Sequence, residues 1–181
     1  MAVRALSIQA WLHYFLYAVP IVVCHHLIHE GIHYLAALAC GEGVLEFRFL
    51  TNGLGSSQVV YATPIAVRTG AHWLLIAWAP TVVTTAIGYV LYLNRERSRG
   101  SRVLAICMLY AGFFFLMLDP LYFSVLSLVV GGDIEAIAAV GGSPWPIRAF
   151  MLLVMIFNGR LMHRWMREQR ARGIRGQVWK I

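Results

Sequence analysis

Four apolar stretches, at about residues 11–40, 72–93, 103–130 and 145–162, constrain this chain more than any other feature of its sequence. Each is near or above the roughly 20 residues that a helix needs to cross a bilayer. Of 181 residues, 60% are hydrophobic and 13% charged, with a mean hydropathy of +0.68, which is more apolar side chain than a core of this size can enclose in water. The sequence therefore predicts an all-α polytopic membrane protein of about four transmembrane helices, with the lipid bilayer as its solvent. The first stretch is too long, and too polar at its N-terminus, for a secretory signal, and it is read as a retained helix. No internal repeat or low-complexity segment breaks the chain, so the expected organisation is a transmembrane domain over residues 1–163 and a basic tail over 164–181. Cys24, Cys40 and Cys107 lie in or beside apolar runs and form no CxxC pair, which argues against a disulfide framework or a cysteine zinc site.

The net charge of +7 comes from basic residues flanking the apolar stretches, so membrane topology explains it without a nucleic-acid partner. Arg4, the run Arg95, Arg97, Arg99 and Arg102, and the segment from Arg160 onward together hold twelve of the fifteen basic residues. With four helices these all fall on one face, and the positive-inside rule makes that face cytoplasmic, with both termini inside. The connections at 41–70 and 131–144, carrying Glu42, Glu46, Asp133 and Glu135, then lie on the opposite side. Within the first connection, residues 44–50 and 58–62 are rich in β-branched and aromatic side chains, and Asn52-Gly53-Leu54-Gly55 supplies a turn between them. A β-hairpin over about 44–62 is expected at the membrane edge, its backbone polar groups paired within the protein.

Polar groups inside a spanning helix are costly, yet the first stretch holds His25, His26, His29, Glu30 and His33 within nine residues. His29-Glu30-Gly31-Ile32-His33 is an HExxH pattern. Its histidines, four apart at about 100° per residue, project within roughly 40° of each other and can reach one metal ion. Zinc suits imidazole ligands, and with a third protein ligand it keeps a position for water, from which Glu30 would take a proton. The competing explanations are interhelical hydrogen bonding or axial ligation of a haem, for which the other candidates, His13, His72 and His163, lie nearer helix ends. Neither alternative uses Glu30. His25 and His26 are read as packing groups or as supports for the ligands.

The order of these features resembles the site-2 protease family of intramembrane zinc metalloproteases, in a compact, membrane-domain-only form. The likeness runs from His29–His33 through Tyr34-Leu35-Ala36-Ala37-Leu38-Ala39-Cys40-Gly41 to Val44-Leu45-Glu46-Phe47-Arg48-Phe49 and Gly53-Leu54-Gly55, and Ala79-Pro80 is similar to the Gly-Pro or Ala-Pro of relatives. The resemblance implies zinc held by His29, His33 and an aspartate, Glu30 as the catalytic base, and a hairpin edge that holds an extended substrate. The family's aspartate usually stands in Leu-Asp-Gly, which this chain lacks. Asp133, in Gly131-Gly132-Asp133 ahead of Gly141-Gly142-Ser143-Pro144, is the first choice for the third ligand. Asp119, in Leu118-Asp119-Pro120 at the depth of His29–His33, is the alternative. Asp133 could otherwise cap a helix beginning at Ile134, whereas Asp119, if not a ligand, should pair with a histidine or with Arg148. Pro120 should kink its helix. The arginine distribution places the hairpin on the side opposite to the family's usual site opening. The expected function is a zinc metalloendopeptidase acting on transmembrane protein substrates. The alternative is a non-catalytic, possibly metal-binding subunit or scaffold of a larger membrane complex.

Overall fold

A computed structural model describes residues 8–49, 57–130, 132–140 and 143–171. In chain order these form α1 (Ile8–Ala39), β1 (Val44–Arg48), β2 (Gln58–Tyr61), a 3-10 turn (Ile65–Val67), α2 (Ala71–Leu93), a second 3-10 turn (Arg95–Gly100) and α3 (Arg102–Leu121). A π-helical turn (Tyr122–Leu126) joins α3 to α4 (Ser127–Val130), and α5 (Asp133–Ala139) and α6 (Pro144–Ala171) complete the fold.

It is the all-α polytopic architecture with a hairpin after the first helix. Phe15–Ala39, Ala71–Leu93, Val103–Val129 and Pro144–Gln169 are each long and apolar enough to cross a membrane. Helix is the natural state for such segments, because it satisfies backbone N–H and C=O groups within the segment itself. Leu16, Leu35, Leu75, Val82 and Leu153 lie more than half exposed on the outer surface of the bundle, where acyl chains rather than water suit them.

The strands pair antiparallel, with Val44 opposite Tyr61, Phe47 opposite Val59 and Arg48 opposite Gln58, and the register shifts between Val44 and Glu46. They are slightly shorter than the apolar runs that encode them. The expected turn at Asn52–Gly55 lies outside the described residues. Beneath the hairpin, Ala37 of α1 and Trp73 and Ile76 of α2 form a core to which Val44 and Tyr61 add their side chains. At the other end, Tyr92, Leu116, Met162 and Trp165 tie α2, α3 and α6 together. Gly88 permits the close approach of α2 to α3, since a Cβ there would come within 2.7 Å of the Leu116 side chain.

The last helix departs from expectation. A polar tail was expected beyond residue 163, yet α6 continues to Ala171, because Asn158, Met162, Trp165 and Gln169 recur at helical spacing and are all buried. Glu168 on this extension receives Arg95 Nε at 2.8 Å, so the arginine-rich turn and the end of α6 meet at the end of the bundle away from the hairpin. Residues 172–181 lie outside the described residues.

Candidate metal centre

The first helix places His25, His29 and His33 on one face, turned inward and buried, with Glu30 buried beside them. His26 is only partly buried and meets His25 ring to ring at 5.8 Å. The helical spacing alone produces this file of imidazoles; what they face depends on the other helices.

Asp133 reaches the file from the far end of the chain. Gly132 adopts φ +97°, a conformation open to glycine, and the backbone turns there so that α5 folds back beside Phe123 of the π-helical turn, with Ile134 and Ile137 packed against Ala77 and Met151. The Tyr122 hydroxyl accepts the Asp133 backbone N–H at 3.2 Å. Asp133 is thus the first residue of α5, but its carboxylate does not cap that helix: Oδ2 lies 3.4 Å from His29 Nε2 and 3.3 Å from His33 Nε2. His29, His33 and Asp133 each offer one ligand atom, and the three atoms lie within 4.8 Å of one another.

Asp119 occupies a different place. It is buried in α3 with Oδ1 3.2 Å from His29 Nδ1 and 3.6 Å from His25 Nε2, while Thr84 of α2 donates its hydroxyl to Oδ2. It therefore stands behind His29, on the ring nitrogen turned away from Asp133. Arg148 lies over the Trp145 ring at 5.1 Å, and it is the histidines that Asp119 meets. The irregularity expected at Pro120 takes the form of the π-helical turn that begins two residues later, a feature common at functional sites. His33 is oriented in the same way as His29: its Nδ1 donates to the Ile76 carbonyl at 2.9 Å, which turns Nε2 towards Asp133. Because a carbonyl can only accept, this contact fixes the neutral His33 ring as the Nδ1–H form, with a lone pair on Nε2.

The donor set fits zinc. Four ligands at about 2.0–2.2 Å from a tetrahedral ion stand roughly 3.4 Å apart, which is the separation observed between Asp133 Oδ2 and the two Nε2 atoms. The haem alternative finds no such support: His72 pairs with Glu42 at 2.9 Å and His163 is exposed, while the His13 side chain lies outside the described ones.

The hairpin contributes one further group. Tyr61 of β2 packs edge-on against Trp73 at 5.3 Å, with the Arg68 guanidinium over both rings. Tyr61 also packs on the Ala37, Trp73 and Ile76 core, whose Ile76 carbonyl accepts from His33, and burial, followed by the charges of Asp133 and Glu30, pushes its phenol well above the ordinary value. Tyr61, Thr84, Tyr122 and the Ile76 carbonyl are absent from the sequence reading. None belongs to a motif, and the only mark that the Ile76 oxygen leaves in the sequence is the proline four residues after it.

Comparison of the chain with protein-family models, curated proteins and solved structures finds no match.

Proposed function

We propose that this protein is an intramembrane zinc metalloprotease of the site-2 type that hydrolyses peptide bonds of membrane-embedded protein substrates. One observation carries the reading: His29, His33 and Asp133 bring three potential ligand atoms within 4.8 Å of one another, with the Asp133 carboxylate 3.3–3.4 Å from both Nε2 atoms, next to a buried glutamate. His29, His33 and Asp133 would hold the ion. Zinc, when bound, supplies Lewis-acid polarisation of a carbonyl and makes water acidic enough to ionise near neutral pH.

The remaining chemistry belongs to the chain. Glu30 takes a proton from water and delivers it to the leaving amine, which lets a single carboxylate serve both halves of the hydrolysis. Asp119 and Thr84 hold the His29 ring, and burial of His29, His33 and Glu30 keeps bulk water from competing for their hydrogen bonds. Asp133, with about a quarter of its side chain exposed, marks the side from which substrate enters. The basic end of the bundle is assigned to the cytoplasm, and the site and hairpin to the opposite face.

The test is zinc content together with peptide-bond cleavage of a reconstituted transmembrane substrate. Wild-type protein should carry one zinc per chain, and Glu30→Gln should keep it while losing roughly 10²–10⁴-fold in cleavage rate. Zinc at one per chain with no cleavage of any transmembrane substrate tried, and no effect of Glu30→Gln, would favour the non-catalytic subunit instead.

A further inference from the structure

Pro80 lies in the interior of α2, fully buried, where a proline would ordinarily weaken a helix. Having no N–H, it cannot donate to the carbonyl four residues earlier, which belongs to Ile76. The proline ring also crowds that carbonyl and tilts it off the helix axis. The Ile76 oxygen is the atom to which His33 Nδ1 donates, at 2.9 Å, from the neighbouring helix.

The same arrangement occurs a second time. Pro120 in α3 removes the donor to the Leu116 carbonyl, and Asn158 of α6, fully buried, supplies Nδ2 to that oxygen at 2.7 Å while its own Oδ1 accepts from Tyr89 at 2.8 Å. In a hydrocarbon environment an acceptor without a donor is costly, so a neighbouring helix that brings a donor is held in register. Each of these two prolines thus exposes one carbonyl, and each carbonyl selects one polar side chain on another helix.

We infer that Pro80 is a positioning residue for the metal centre: by releasing the Ile76 carbonyl, it fixes His33 as the Nδ1–H tautomer and leaves the Nε2 lone pair for the ion. The inference rests on the proposed metal site for its consequence, but the tautomer itself can be read without metal. Restoring an N–H at position 80 should return the Ile76 carbonyl to the α2 ladder and free His33 to place its proton on Nε2. There it would hydrogen-bond Asp133 and block coordination.

The experiment compares three full-length proteins in detergent: wild type, Pro80→Ala, and a protein with a backbone ester at position 80 made with the α-hydroxy analogue of alanine. The ester, like proline, has no N–H, but it lacks the ring. Nitrogen-15 imidazole shifts, assigned with His33→Gln and recorded metal-free over a range of pH, report which ring nitrogen carries the proton in the neutral form, and chelator competition reports zinc affinity. Pro80→Ala should shift His33 towards Nε2–H and bind zinc roughly 10–100-fold more weakly, with the ester protein close to wild type in both. An unchanged tautomer in Pro80→Ala, or an ester protein as impaired as the alanine one, would overturn the inference. Wild-type protein that binds no zinc would instead count against the proposed function, while the tautomer comparison would still judge Pro80.

Discussion

The two histidines of the candidate centre present the same ring nitrogen, Nε2, to Asp133. His29 Nδ1 lies 3.2 Å from Asp119 Oδ1 and His33 Nδ1 donates to the Ile76 carbonyl, so both rings turn Nε2 towards Asp133. The two aspartates consequently have different expected phenotypes. Asp133→Ala removes a proposed ligand and should abolish stoichiometric zinc binding, whereas Asp119→Asn leaves the three proposed ligands in place but changes the group behind His29, for an expected loss of roughly 10–100-fold. Isothermal titration of metal-free protein with zinc checks both, and full retention in Asp133→Ala with loss in Asp119→Asn would exchange their roles. Much of this was legible at the residue scale, because HExxH is local: a four-residue step on a helix brings two imidazoles together whatever the tertiary fold. The aspartate was not legible in that way. Residue spacing left both candidates open, since a carboxylate 104 positions from His29 is placed by packing and not by periodicity.

At the scale of elements, the decisive piece is the stretch from Pro120 to Asp133. A plain helix carried on to residue 130 would leave Asp133 beyond the bundle, about 1.5 Å further out for each residue after Asp119. Here the π-helical turn, α4 and the reversal at Gly132 bring α5 back against Phe123, and the Tyr122 hydroxyl takes the Asp133 N–H. Gly132 has little freedom to change: its φ of +97° disfavours any side chain, and a Cβ would fall on the Tyr122 hydroxyl oxygen. Gly132→Ala is therefore expected to move Asp133 and weaken zinc binding by at least about 10-fold, which corresponds to a strain of about 1.4 kcal/mol, at the low end for a disfavoured backbone conformation. Adding Tyr122→Phe should recover part of that loss by removing the oxygen. Chelator-competition affinities would show it, and wild-type affinity in Gly132→Ala would mean that the turn does not set the ligand. The helices and hairpin were readable from apolar length and turn residues. The fold-back of α5 and the extension of α6 were not, because both follow from tertiary contacts: Asn158 reads as the end of an apolar run until Leu116 and Tyr89 are seen to satisfy it.

Across the whole molecule, charge and site lie at opposite ends. Arg95 bonds Glu168 at the end where α2 turns into α3 and α6 finishes, whereas the hairpin, α5 and the three converging donors lie towards the other end. Lys and Arg flanking spanning helices are retained on the cytoplasmic side, and counted over short loops they set orientation more strongly than acidic residues do. The arrangement therefore predicts a site that opens away from the cytoplasm. Two exposed positions report this directly: Leu45 on β1, 70% exposed, and Arg97 in the arginine-rich turn. In a chain whose Cys24, Cys40 and Cys107 are replaced, a membrane-impermeant maleimide applied to intact cells should label Leu45→Cys, and it should reach Arg97→Cys only after permeabilisation. The reverse pattern would turn the hairpin and Asp133 towards the cytoplasm. Substrate would then have to come from that compartment, and twelve basic residues would stand on the far side of the membrane, against the rule that otherwise governs them.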